Sequence, residues 1–123
     1  MMTEIHEEEF SDLIDTVKAA SRGWIEAIAI ISEDGTPLAH NSELEFNAEY
    51  VGAATAAICG AISAVIELLN VKNYRKADIQ LEGSRYLLMR PYKGHYIVCL
   101  TKQKPNLGFI NMILEAYLSE REK

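Results

Sequence analysis

The chain has 123 residues, of which 49% are hydrophobic, and a formal net charge of −6. This length and composition predict one compact domain over residues 1–123 with a core of its own. Residues 1–70 hold thirteen acidic residues against two basic ones, and residues 71–123 hold five against ten, so the basic surface that a nucleic-acid binder needs is excluded for the chain as a whole. Glutamates within residues 4–9 occupy the place where a signal peptide would be basic, which favours a cytoplasmic protein.

The first half of the chain predicts a helix, a hairpin and a longer helix. The elements are a helix over residues 4–20, strands over residues 24–32 and 37–40, and a helix over residues 48–70. Asp34 and Gly35 form a pair that suits a tight hairpin turn. Pro37 has no N–H to donate and marks the second strand as a sheet edge, and Asn47 is placed to cap the long helix.

The second half predicts a three-stranded meander followed by a helix. The elements are strands over residues 75–82, 85–91 and 95–101, and an amphipathic helix from Leu107 to Leu118 capped by Asn106. Two hairpin blocks cannot bury both of their apolar faces alone, so helices must cover both sides of one antiparallel sheet. The prediction is an α+β fold with the long central helix on one face and the two terminal helices on the other.

The central helix is apolar all round, which is typical of a helix buried all round. Its larger apolar side predicts the contact with its own core and consists of Val51, Thr55, Ile58, Ile62, Val65 and Leu69. The opposite side carries almost no side chain, and small residues spaced by four, at Gly52, Ala56, Gly60 and Ala64, would allow a second backbone to approach closely. We interpret this side as the contact with a second copy.

Two other interpretations of the helix stay open. The first is a monomer in which other parts of the same chain cover the small side. The second is a membrane span, since the uncharged run over residues 50–66 approaches the lower limit of about 17 residues. The run lacks the leucine density and the flanking basic residues that insertion favours, so we expect no direct membrane insertion.

The sequence contains no recognisable catalytic, cofactor or metal site. His6, His40 and His95 have no carboxylate or cysteine at ligand or triad spacing and are predicted to lie on the surface. Cys59 and Cys99 match no zinc pattern and are predicted to be buried small apolar residues. No phosphate loop is present. We therefore expect a protein that is not an enzyme and holds no cofactor.

Several motifs, in this order and spacing, resemble the roadblock family of dynein light-chain and GTPase-regulator domains. They are residues 32–39 (SEDGTPLA), 53–58 (AATAAI), 79–82 (IQLE), 86–89 (YLLM) and 106–108 (NLG). The resemblance spans about residues 5–118. It departs from the family pattern at residues 21–24, where a shorter apolar junction is common.

The resemblance implies a profilin- or longin-like roadblock fold with topology αββαβββα. Its five strands would follow the order 2-1-5-4-3, and strand 3 would pair with its copy to give a ten-stranded dimer sheet with the central helices side by side. Charges at Lys76 and Asp78 suit an edge that permits one defined register. The implied dimer interface consists of Ala53, Ala56, Ala57, Gly60, Ala61, Ala64, Ala77, Ile79 and Leu81.

The function that the resemblance implies is a non-catalytic homodimeric scaffold or regulator of a small Ras-like GTPase, or an adaptor subunit of a larger complex. A GTPase activator could supply an arginine finger, but the sequence does not favour any one of Arg22, Arg75, Arg85 and Arg90. A basic strip at residues 72–76, or around Lys102 and Lys104, could meet an acidic patch on a partner.

The alternative function is a small-molecule sensor. An antiparallel sheet flanked by helices can hold a ligand between the sheet and a helix. Tyr86, Tyr92 and Tyr96 could line such a pocket.

Overall fold

The computed structural model describes the backbone of residues 2–122 and the side chains of residues 8–119. Three helices and five strands follow each other in the order αββαβββα. They are α1 (Met2–Ala20), β1 (Ile25–Ser32), β2 (Pro37–Ser42), α2 (Ala48–Leu68), β3 (Ala77–Leu81), β4 (Arg85–Tyr92), β5 (His95–Thr101) and α3 (Leu107–Glu122). The side chain of His6 lies outside the described residues.

The five strands form one antiparallel sheet in the order β2-β1-β5-β4-β3, which confirms the predicted fold. β2 and β3 are its two edges. α1 and α3 pack together on one face. α2 lies on the other face, chiefly over β1, β2 and β5.

The sheet separates two hydrophobic cores of unequal size. The larger core lies under α1 and α3, where Ile14, Val17, Ile110 and Leu114 pack against strand residues such as Ile97. The smaller core lies under α2 and consists of Ala29, Ile31, Cys59, Met89 and Val98. Strand neighbours point to opposite faces, so Leu88 contributes to one core and Met89 to the other. The α1–α3 side therefore supplies most of the burial that holds a single chain together.

The predicted caps and the predicted hairpin turn are confirmed. The side-chain oxygen of Asn47 accepts a hydrogen bond from the backbone N–H of Tyr50 at 3.0 Å, and that of Asn106 accepts one from Phe109 at 3.1 Å. These bonds satisfy donors that a helix start leaves unpaired. Gly35 has φ +94°, a conformation that favours glycine in the turn between β1 and β2.

Some element boundaries differ from the prediction. α2 ends at Leu68 rather than at residue 70, and β2 continues to Ser42. β3 is shorter than predicted, because residues 82–84 form a 3₁₀ turn in which Gly83 has φ +78°. Lys76 and Glu82 therefore flank the strand instead of lying inside it.

Candidate interaction surface

Only one narrow side of α2 is buried in the single chain. Gly52, Thr55 and Cys59 are its buried residues, and Cys59 reaches the core beneath the helix. A soluble helix this apolar would normally hide much more of its surface. Because α2 lies over β1, β2 and β5, its remaining surface meets no other part of the described chain on a comparable scale.

The exposed small and apolar residues of α2 form what we call the open face. It consists of Ala53, Ala54, Ala57, Ile58, Gly60, Ala61, Ala64, Val65 and Leu68. Its three large side chains, Ile58, Val65 and Leu68, are 37%, 55% and 83% exposed. Contiguous apolar surface of this kind marks an interaction site in a soluble protein.

The predicted core stripe of α2 is therefore wrong in part. Thr55 is buried as expected, and Val51 and Ile62 are half-buried, but Ile58 and Val65 are exposed. Leu69, just past the helix end, is also exposed. The buried side is rotated toward Cys59, because the helix meets the sheet along the line of residues 52, 55 and 59.

Gly52 does not serve a second copy, as its four-residue spacing had suggested. It faces the β1–β2 turn of its own chain, and a Cβ atom built at residue 52 would lie 2.3 Å from the carbonyl oxygen of Gly35. Gly60 is different, since a Cβ there would meet nothing within 4 Å. Gly52 thus allows α2 to pack closely against its own chain, whereas Gly60 leaves space on the outer side of the helix.

The β3 edge extends the exposed apolar surface. Among the described strands β3 pairs with β4 alone. Ala77 packs against the core under α2, so Ile79 and Leu81 point to the same side of the sheet. Ile79 is 41% exposed there because α2 lies over the far half of the sheet. A strip beside α2 is consequently left open up to the sheet edge.

The structure brings the predicted interface residues to one side of the molecule. Ala53, Ala57, Gly60, Ala61, Ala64 and Ile79 are exposed, and Ala56, Ala77 and Leu81 are half-buried within their own chain. The stripe predicted from helical spacing placed Ile58 and Val65 in the core, and Leu68 belonged to neither predicted side. A helix that is apolar all round gives no signal of its rotation.

By length and composition, α2 could also cross a membrane. Only 17% of its most apolar window is buried in the single chain. Its acidic residues, Glu49 and Glu67, lie near the two ends, where basic residues would favour a bilayer.

A basic end lies beside the β3 edge. Lys72, Arg75, Lys76 and Lys93, which we call the basic end, are exposed and border one groove of about 740 Å³. Within residues 8–119 none of the four forms an ion pair. Glu33 and Glu115 are the acidic residues on the groove. This end is locally cationic on a chain that is acidic as a whole.

The three tyrosines considered for a ligand pocket do not share one. Tyr86 packs against the core under α1 and α3, whereas Tyr96 packs against the core under α2. Tyr92 and Tyr96 border the groove at the basic end, but Tyr86 does not. The groove lies around the β4–β5 hairpin and is also bordered by residues of α3 and by Ser63 of α2. Two of the three tyrosines thus border one groove beside the sheet, and the small-molecule alternative stays a prediction.

The titratable groups beneath α2 belong to its packing. Burial raises the pKa of the Cys59 thiol and, more strongly, that of the adjacent Tyr74 hydroxyl. Burial also raises the pKa of Tyr96 on the same side, and it raises that of Cys99, in the larger core, to about 12. Both thiols are thus neutral and buried, as predicted. Thiols in this state are poor nucleophiles and poor metal ligands.

The histidines do not form a site within the described residues. His40 is exposed, as predicted. His95 is only half-exposed, which corrects the expectation of a surface residue: its ring meets the Phe10 ring edge-on at 5.2 Å, and its Nδ1 is buried without a hydrogen-bond partner in the described part. Among the described side chains, no three His, Cys, Asp or Glu residues cluster in a way that could hold a metal ion.

Two of the four candidate arginines are bound within their own chain. Arg90 is buried and donates to Asp78 at 2.6 Å and to Asn111 at 2.8 Å, so it links β3, β4 and α3. Arg85 pairs with Glu26 and also donates to the backbone of Thr101. Both guanidinium groups are thus engaged by partners within their own chain. Sequence reasoning gave no signal of these long-range partners.

Comparisons with known proteins agree with this architecture. The model of the Roadblock/LC7 domain family matches residues 12–101. Among solved structures, MglB of Myxococcus xanthus superposes with a TM-score of 0.84 at 10% identity, covering 94% of this chain and 86% of that one. An MglB in a tetrameric arrangement gives 0.76 at 15% identity, covering 90% and 85%.

A profilin shares the fold as well. Profilin II of Acanthamoeba castellanii gives a TM-score of 0.63 at 17% identity and covers 91% of this chain and 95% of that one. At such identities the structural likeness concerns the fold alone. No curated protein sequence matches this chain.

Proposed function

Because the chain belongs to the Roadblock/LC7 domain family, we propose that it is a non-catalytic homodimer that binds and regulates a small Ras-like GTPase, either alone or as an adaptor subunit of a larger complex. The observation that carries this proposal is the open face of α2. Its large apolar side chains are exposed in the single chain, and a soluble protein gains free energy when it covers such surface.

A second copy is the occupant that fits this surface. The open face of α2 and the β3 edge lie on the same side of the sheet, so one two-fold axis can join both at once. β3 would pair with β3 of the second copy, and the two α2 helices would lie side by side over a ten-stranded sheet. The MglB neighbour in a tetrameric arrangement is consistent with self-association in this fold.

We expect this dimer in the cytoplasm rather than in a bilayer. The buried side of α2 is seated on the sheet through Gly52, Thr55 and Cys59, and membrane insertion would expose that side of the sheet. The small residues of the open face favour a close helix pair, whereas membrane insertion favours leucine-rich surface.

The role that we propose is positioning rather than bond making. Arg85 and Arg90 are held by acidic partners of their own chain, so neither is offered as an arginine finger. Both cysteines are buried. A dimer of this kind would act by holding the GTPase, or by joining it to other subunits.

The basic end is the surface that we propose for the GTPase. Three of its cations, Lys72, Arg75 and Lys93, have no ion-pair partner within the described part of the chain and lie outside β3, so they are free to meet an acidic patch. Such complementarity steers association and fixes the orientation of the complex. The alternative strip is less free, because Lys102 lies 3.5 Å from Glu43 in an ion pair.

A pull-down from native lysate followed by reconstitution tests the proposal. We expect a Ras-like GTPase to be captured at about 50 mM salt and to be lost at about 300 mM, because salt screens exposed charges. The purified pair should then form a complex that Lys72→Glu/Arg75→Glu weakens and that the control Lys104→Glu, which reverses an exposed cation on the other strip, leaves intact. Failure of purified Ras-like GTPases to bind the wild-type dimer would contradict the partner assignment.

A further inference from the structure

The β3 edge carries an ordered pattern of charges on one face. Asp78 and Gln80 alternate with the apolar residues Ala77, Ile79 and Leu81 and so share the face opposite α2, and the charged residues Lys76 and Glu82 directly flank the strand at its two ends. Asp78 is held by Arg90 at 2.6 Å. Lys76 and Glu82, at the two ends of the strand, have no ion-pair partner within residues 8–119.

β3 is the better of the two edges for pairing with another strand. The other edge, β2, begins with Pro37, which cannot donate a ladder hydrogen bond. β3 has no proline, and all five of its residues pair with β4 in a regular register. Its Asp78 accepts a hydrogen bond from Arg90 of the neighbouring strand β4 at 2.6 Å.

Only a few registers are possible between β3 and β3 of a second copy. A shift by one residue would place apolar residues opposite charged ones, so acceptable registers differ by steps of two. Three of these registers keep most of each strand paired with the other. They place Ile79 opposite Ile79, Asp78 opposite Asp78, or Gln80 opposite Gln80.

Charge separates the three registers. With Asp78 opposite Asp78, two carboxylates meet on the axis. With Gln80 opposite Gln80, Asp78 of each copy meets Glu82 of the other, and the like charges repel twice. With Ile79 opposite Ile79, Lys76 of each copy faces Glu82 of the other, and Asp78 faces the neutral Gln80. This third register alone pairs opposite charges and brings no like charges together.

We propose that β3 pairs with β3 of a second copy in the register that centres Ile79 on the two-fold axis, with Lys76 and Glu82 of opposite copies forming an ion pair on each side. This inference rests on the proposed homodimer and adds the basis of its self-recognition. Lys76 and Glu82, which form no ion pair in the single chain, thereby pair with each other across the dimer. The exposed Ile79 side chain packs against Ile79 of the second copy. The pattern makes the edge specific for another copy of itself.

Charge reversal tests the register. In the Lys76→Glu homodimer, carboxylates at residues 76 and 82 of opposite copies face each other at both ends of the paired strands. In the Glu82→Lys homodimer, two ammonium groups face each other at the same two places. Each variant alone should dimerise about tenfold more weakly or worse than the wild type at about 20 mM salt. A mixture of the two should form a heterodimer preferentially, because each of its two edge pairs joins a carboxylate to an ammonium group, whereas both edge pairs of either homodimer join like charges. The double variant Lys76→Glu/Glu82→Lys should recover the homodimer.

Native mass spectrometry and sedimentation report these species directly. Arg22→Glu and Glu45→Lys are controls of equal charge change at exposed positions away from β3, and they should leave dimerisation unchanged. If both single variants dimerise like the wild type and the mixture shows no preference for the heterodimer, the proposed register is wrong. The proposed homodimer would not be contradicted by that result. If the wild type itself is monomeric, the proposed homodimer fails instead.

Discussion

Replacement of Gly60 by leucine should weaken the dimer without lowering the stability of the single chain. A Cβ at residue 60 meets nothing within 4 Å, so the protomer has room for a larger side chain. Glycine in a helix interior is about 0.8–1 kcal/mol less favourable than a good helix former. Gly60→Leu should therefore leave the protomer as stable as before or make it more stable.

In the dimer the same substitution adds a side chain between two closely packed helices. Overpacking of this kind costs about 1–3 kcal/mol, which corresponds to roughly a fivefold to hundredfold weaker dimer. Sedimentation over a concentration series would measure the dissociation constant, and thermal unfolding monitored through Trp24 would report the fold. Ala57→Phe, also on the open face, should act in the same direction.

The control is leucine at a second exposed glycine in a helix. At Gly108, in α3, a Cβ would meet only the Asn106 side chain, at 3.7 Å. Gly108→Leu therefore adds the same surface away from α2 and should leave the dimer intact. A folded Gly60→Leu protein with the dissociation constant of the wild type would refute the assignment of the open face to the interface.

Two further predictions concern the single chain. Gly52→Ala should lower the free energy of unfolding by about 1–3 kcal/mol in denaturant titrations, because its Cβ would lie 2.3 Å from the Gly35 carbonyl oxygen. Gly60→Ala should instead raise the free energy of unfolding by up to about 1 kcal/mol. Equal effects of the two substitutions would contradict the assigned rotation of α2. Burial raises the pKa of both thiols, so Cys59 and Cys99 should resist a thiol reagent at neutral pH until the protein unfolds, and rapid labelling of the native protein would show that the thiols are accessible.

Features fixed by local chemistry could be predicted from the sequence. The Asp34-Gly35 turn and the helix caps at Asn47 and Asn106 each depend on residues within three or four positions, and the structure confirms them. Alternation along the chain located the strands over residues 75–82 and 95–101, and a continuous apolar run located the strand over residues 24–32. The sheet order came from the resemblance to the roadblock family and is also confirmed.

The rotation of α2 could not be predicted, because a helix that is apolar all round carries no amphipathic signal. Its orientation depends on the contact between Gly52 and Gly35, which are seventeen positions apart in sequence. Helical spacing suggested that Ile58 and Val65 were buried, but both are exposed. Small residues of α2 pack against the sheet, whereas large apolar side chains such as Ile58 and Val65 point away from it.

The partners of the buried Arg90 could not be predicted from the sequence either. Arg90 meets Asp78 on the neighbouring strand and Asn111 on α3, and no local motif relates these three residues. From the sequence alone Arg90 was one of four equivalent arginines. Only the tertiary structure distinguishes it from Arg75, which is exposed at the basic end.

In the proposed dimer a second copy covers both the open face of α2 and the β3 edge. Amide hydrogen exchange of Ala77–Leu81 at several protein concentrations reports this coverage at the edge, since an unpaired edge leaves every other N–H open to solvent. We predict that all five amides exchange slowly at high concentration and that the outward-facing ones lose protection on dilution. Fast exchange of those amides at every concentration would show that no second copy pairs with β3.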